Sequence, residues 1–177
     1  LDLSIAVDYT VLTISEVFKH EYLIERYGAP LMQAGYMHYV KDFETFNLDK
    51  QRMDANVLAE KIADRCKRYK LQALAVDSTA SQSVQVQLIY EAIQRLGINT
   101  LVVPFNFGGQ TNKVTMVSYA ESVIFSGRCK FPLEEYKKSH RPYEIFLDEI
   151  LALKKEKQQG KQNVQYMAPK GRTDDHV

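Results

Sequence analysis

Apolar positions open the chain in short β-branched runs and change to helical spacing near residue 50. Leu1-Asp2-Leu3-Ser4 reads as the end of a strand, and Ser4 to Asp8 as a loop. Val11 to Phe18 is β-branched and apolar and predicts a strand. Tyr22 to Tyr27, after a short polar turn, predicts its hairpin partner, and Gly28-Ala29-Pro30 ends the run. A further strand is expected around Gly35 to Val40, within a stretch rich in aromatics (Tyr36, Tyr39, Phe43, Phe46).

From Asp49 to Tyr69 the period is helical, with Leu58, Ile62, Cys66 and Tyr69 on one stripe. Leu71 to Val76 is a nearly continuous apolar run closing in Asp77, the signature of a buried strand. Ser78 to Ser83 predicts a turn, and Val84 to Leu96 a second helix with Gly97 as its cap. Thr100 to Phe105 predicts another strand before Gly108-Gly109. Asn112 to Phe125 predicts a third helix, with Val117, Ala120, Val123 and Ile124 turned inward. Arg128 to His140 reads as basic and irregular. Pro142 to about Lys157 predicts a fourth helix striped by Phe146, Ile150 and Leu153, with Pro142 suited to its first turn. Lys154 to Lys161 reads as a solvated exit, and Val164 to Met167 as a last short strand. Antiparallel opening strands followed by βαβ units predict an α/β fold with a mixed sheet flanked by helices.

With 177 residues, 45% of them hydrophobic and 25% charged, the chain suits a single soluble domain over 1–177. The net charge of +1 excludes a globally basic protein, so a nucleic-acid surface has to be local. Cys66 and Cys129 lie too far apart in sequence to form a metal-ligand pair, and read as reduced cytosolic thiols. His20, His38, His140 and His176 show no zinc spacing, and no nucleophile elbow is present. No apolar run reaches membrane-spanning length. The chain opens on Leu1 and stops at Val177 where a helix is due, as expected of a fragment of a longer polypeptide.

Candidate chemistry rests on carboxylates. Asp2 and Asp77 close predicted strands, and Asp174-Asp175 follows a Pro/Gly turn. Taken singly, each such aspartate is commonly a turn or N-cap residue. Brought to one sheet edge, they would need a hard cation such as Mg²⁺ or Mn²⁺ to offset their repulsion. Lys113 opens a helix, where it is either a phosphate contact or a solvated lysine. Arg128, Lys130, Lys137, Lys138 and Arg141 lie among Phe131, Tyr136 and Tyr143, a pattern that suits DNA-backbone contact or a plain solvated loop.

Several stretches carry a family resemblance. Leu1 to Leu12, with Asp2 followed six residues later by Asp8-Tyr9-Thr10, resembles the opening of the nuclease domain of tailed-phage terminase large subunits. Val76-Asp77-Ser78-Thr79 resembles that family's second acidic motif. Pro104-Phe105-Asn106-Phe107 followed by Lys113 resembles its Phe-rich strand and next helix, and Ala168 to Val177 resembles its closing acidic segment. The match runs in order over almost the whole chain. Ala80-Ser81-Gln82 stands where relatives carry glycines, and Thr173 where they carry His.

The resemblance implies an RNase H-like fold and metal-dependent cutting of double-stranded DNA during phage genome packaging. It makes Asp2, Asp77 and Asp175 metal-binding carboxylates for two ions, with Asp8 and Asp174 supporting them. It also implies as partners the ATPase domain of the same full-length chain, the small terminase subunit and the portal protein, in the cytoplasm of a bacterial host. The phosphate-binding loop of the motor, Gly-x-x-x-x-Gly-Lys-Ser/Thr, does not occur here. Rival readings are a junction resolvase or transposase core of the same fold, and a non-catalytic docking domain. A kinase-like relative would need Gly-rich phosphate loops that this sequence lacks.

Overall fold

The computed structural model describes residues 10–26, 28–46, 53–78, 83–106, 110–152, 154–157 and 164–167. The opening strand end at Leu1 to Ser4, the Gly108-Gly109 turn and the acidic tail lie outside the described residues.

Seven strands and five helices are described. β1 (Val11–Arg26) and β2 (Ala29–Thr45) form one long antiparallel hairpin, followed by α1 (Ala55–Tyr69) and β3 (Ala73–Asp77). Next come α2 (Ser83–Arg95), β4 (Leu101–Phe105) and α3 (Gln110–Phe125). The remainder is β5 (Cys129–Lys130), α4 (Glu134–Ser139), α5 (Arg141–Ala152), β6 (Lys154–Lys157) and β7 (Val164–Met167). The architecture is mixed α/β. In the three-stranded sheet β1-β2-β5, β2 is antiparallel to β1 and parallel to β5. β3 and β4 pair in parallel across α2, and β6 and β7 pair antiparallel.

Local chemistry explains the element ends. Asp54 caps α1, its carboxylate accepting hydrogen bonds from the Asn56 and Val57 amides at 2.9 and 3.2 Å. Lys67 and Arg68 in the last turn oppose the negative end of the helix dipole, and Lys70 leaves the helix in the left-handed conformation. Gly28 takes φ 73° in the hairpin turn, where a side chain would be strained.

The main core joins hairpin and βαβ unit. Leu12 and Ile14 from β1 pack with Leu58, Ile62 and Cys66 from α1, Leu74 and Val76 from β3, and Ile89, Ala92 and Ile93 from α2. A second, aromatic core stacks Phe43 of β2 on Phe146 and Tyr143 of α5, with ring centroids 4.5 and 5.4 Å apart.

The structure corrects several expectations. The polar Lys19-His20-Glu21 stretch is not a turn but the middle of β1, and Gly28 makes the hairpin turn instead. A ribbon that lies beyond the core tolerates polar residues at every position. Lys154–Lys157 is a strand, because Val164–Met167 offers it a ladder partner that helical periodicity cannot foresee. The stretch read as irregular contains β5 and α4. In α3 only Val123 of the expected inward face is buried; Ala120 is exposed, and Phe125 at the helix end is 87% exposed. Leu96 is exposed as well.

Candidate metal and nucleic-acid site

Asp77 closes β3 in register with Phe105, the last residue of β4. The Ser78 amide donates to the Phe105 carbonyl at 2.8 Å, so the parallel pairing holds to the end of both strands. Alternation sends Leu74 and Val76 into the core and leaves Ala73 and Ala75 exposed; Asp77 is half-buried on the side of Ala73 and Ala75. The carboxylate therefore stands at the carboxyl edge of a parallel strand pair. In open α/β sheets this is the edge at which ligands bind.

Asp77 has the donor chemistry a hard divalent cation takes. Asp2, Asp8, Asp174 and Asp175 lie outside the described residues. Among the described residues, no group of three or more His, Cys, Asp or Glu is placed to hold a metal ion. Lys113 falls in the first turns of α3, on the helix that follows β4. Arg128 precedes β5 and Lys130 closes it, so both sit on the three-stranded sheet rather than beside β3.

The aromatics interleaved with the basic stretch have a structural role. Tyr143 is buried, and Phe131 and Tyr136 pack against the aromatic core. The cations remain at the surface: Lys130 and Lys138 are exposed, and Arg141 pairs with Glu144.

A second polar cluster was not legible in the sequence. The pairing of β1 with β2 passes from Ile14↔Asp42 to Ser15↔Val40, leaving Lys41 as the extra residue of a β-bulge. Beside that bulge, one Asp42 oxygen accepts from the Tyr136 hydroxyl at 2.5 Å and from the Phe43 amide at 2.9 Å. His140 Nε2 stands 3.2 Å from the same oxygen, and the Tyr69 hydroxyl donates to the other. The Tyr143 amide donates to the His140 carbonyl at 3.1 Å and lies 3.4 Å from His140 Nδ1. Next to it Arg65 Nε pairs with Glu44 at 2.5 Å.

Burial works against ionisation of Asp42. The hydrogen bonds from Tyr136, Tyr69 and the Phe43 amide, together with His140, outweigh it and hold the carboxyl below its usual range. Both nitrogens of His140 and both oxygens of Asp42 are engaged. The cluster is thus a joint between β2, α1 and the α4–α5 corner rather than a poised acid–base pair. Tyr69 and Tyr136 lie 27 and 94 positions from Asp42, separations that leave no trace in any local pattern.

No family model, curated protein or solved structure matches this chain. Among the described residues, no helix is long and apolar enough to cross a membrane.

Proposed function

We propose that the chain is a metal-dependent endonuclease of RNase H-like fold that cuts double-stranded DNA, the nuclease part of a terminase large subunit. The observation that carries the reading is Asp77: a half-buried carboxylate at the carboxyl edge of a parallel strand pair, in the stretch whose sequence resembles the family's second acidic motif. The fold agrees with this reading at the level of class, mixed α/β with a mixed sheet and flanking helices, while Asp77 lies on the separate β3–β4 pair.

Asp77, with Asp2, Asp175 and Asp174, would hold Mg²⁺ or Mn²⁺, and Asp8 would orient the neighbouring groups. When bound, such ions supply an activated water and stabilise the leaving oxygen of a phosphodiester. The chain's own contribution is to fix the Asp77 carboxylate on a rigid strand end whose backbone is tied to β4. Lys113 is a candidate phosphate contact from the start of α3. Contacts of that kind hold DNA without reading its bases, so cutting should show little sequence preference.

The test is nicking and linearisation of supercoiled plasmid in Mn²⁺, Mg²⁺ or EDTA, with wild type beside Asp77→Asn. The expected result is cleavage that requires the metal and disappears in the variant. Cleavage equal in wild type and Asp77→Asn, or no cleavage together with no Mn²⁺ heat by calorimetry, would overturn the assignment and favour a docking domain. Preference for branched over plain duplex would point to a junction resolvase.

A further inference from the structure

The long hairpin outruns the core that supports it. Toward the tip, every residue from Ser15 to Glu21 is exposed, although the run includes Val17 and Phe18. A two-stranded ribbon alone is marginal in water, so exposed apolar groups on it call for a ligand or partner.

On one side of the ribbon Phe18 stands edge-on to Tyr39 at 5.7 Å, with Lys41 Nζ 5.6 Å from the Tyr39 ring; the other side meets α3. Val17 pairs with His38 and Lys19 with Tyr36, so these four share a side. Tyr36 and Val17 are 55% and 51% exposed. Tyr119 of α3, 52% exposed, joins them: its ring stands edge-on to His38 at 6.2 Å, and its hydroxyl lies 3.3 Å from His38 Nε2. Burial and the nearby Arg128 guanidinium lower the His38 pKa, so the imidazole is neutral at neutral pH and its bond to Tyr119 persists. The His38 amide donates to the Arg128 carbonyl at 2.8 Å, which brings Arg128 beside His38, and Arg128 Nε donates to Ser126 Oγ at 2.8 Å.

This side therefore presents two open tyrosine rings, one of them held by a hydrogen bond, between Lys19 and Arg128. Glu21 follows Lys19 on this side, two positions toward the tip, and the register continues through Glu25 opposite Pro30; Glu16 lies on the other side, paired with Lys41 at 3.0 Å. Protein-binding surfaces are depleted in lysine. Aromatic rings set among cations on a sheet instead suit unpaired bases and phosphates.

We propose that this side of the ribbon is a stacking platform for single-stranded nucleic acid, with Tyr36 and Tyr119 taking unpaired bases and Lys19 and Arg128 meeting phosphates. The platform is separate from the edge at Asp77. Arg65 and Tyr69, in the last turns of α1, touch Glu44 and Asp42 of β2, and the chain then doubles back through β3 to reach Asp77. The ribbon thus projects from the end of the sheet remote from Asp77, and binding there does not depend on the nuclease reading.

The test is fluorescence anisotropy of a labelled oligothymidine of about 15 nucleotides, a length near one such site. EDTA in the buffer keeps cleavage out of the measurement. Wild type should bind it more tightly than a duplex of equal length. Tyr36→Ala and Tyr119→Ala should each weaken binding about tenfold, the size expected for one lost stacking contact. Tyr36→Phe and Tyr119→Phe should keep most of it, because the ring faces remain. Phe18→Ala, on the other side of the ribbon, should bind as wild type, and circular dichroism verifies that each variant is folded.

Absence of binding, or alanine variants that bind as wild type, would overturn the proposal. So would equal affinity for duplex, or displacement of the oligonucleotide by polyglutamate at equal charge; the latter would assign the surface to an acidic protein.

Discussion

Removing the Asp42 carboxylate should loosen three elements at once. In Asp42→Ala the Tyr69 and Tyr136 hydroxyls and His140 Nε2 lose their common acceptor. Hydrogen bonds to a charged group contribute about 1.5–3 kcal/mol each, but they are not additive, and solvent reaches part of this group. A loss of about 3 kcal/mol is expected for alanine, and about half of that for asparagine, which keeps one acceptor. For a chain of this size that corresponds to a fall in melting temperature of about 6–12 °C for alanine.

Thermal unfolding at pH 7 of wild type, Asp42→Ala, Tyr136→Phe and the double variant gives both the loss and the pair coupling. A coupling of about 1 kcal/mol is expected. The folded-state pKa of Asp42 lies below its unfolded value, so its ionic contribution is fully present above about pH 4 and is lost as pH falls through the lower folded value. The gap between wild type and Asp42→Ala should narrow over that acid range. A loss below about 0.5 kcal/mol at pH 7, or a gap that widens on acidification, would refute the account of Asp42 as a joint.

Two further outcomes follow from buried groups. Burial pushes the Cys66 thiol up to about 11 and its side chain is fully enclosed, so at pH 8 about one thiol in a thousand is ionised. A thiol reagent should titrate Cys129 before unfolding and Cys66 only after it, and rapid modification of both in the folded protein would contradict the packing of α1. Gln85 Oε1, on α2, is buried without a hydrogen-bond partner among the described residues. Gln85→Met should therefore raise stability, by about 1 kcal/mol in denaturant unfolding, and a clear loss would mean that the amide has a partner of its own.

Much of the fold is legible in the one-dimensional pattern. The stripe of Leu58, Ile62 and Cys66 is buried as its period indicates, because α1 has one side against the core, whereas the run from Leu71 to Val76, which reads as a buried strand, buries only Leu74 and Val76 and leaves Ala73 and Ala75 exposed. Gly97 ends α2 with φ 63°, as a helix cap requires. Local pattern misleads where the core does not reach. From Ser15 to Glu21 β1 has no buried face, so its polar residues mimic a turn, and α3 shows Ala120 and Phe125 to solvent. It misleads again where a distant partner decides: β5 and β6 exist because His38 and Tyr39 of β2, and Val164–Met167, complete their ladders.

The candidate chemistry divides in the same way. The chain by itself singles out Asp77 as an acid closing an apolar strand, since strand and acid are neighbours in sequence. Only the tertiary structure puts Asp77 on the half-buried side of β3 at the edge it shares with β4. Only it gathers Asp42 with Tyr69, Tyr136 and His140, and sets Tyr119 beside His38 across 81 positions. Period and propensity act over a few residues, whereas side-chain hydrogen bonding and open surface depend on which elements the core brings together.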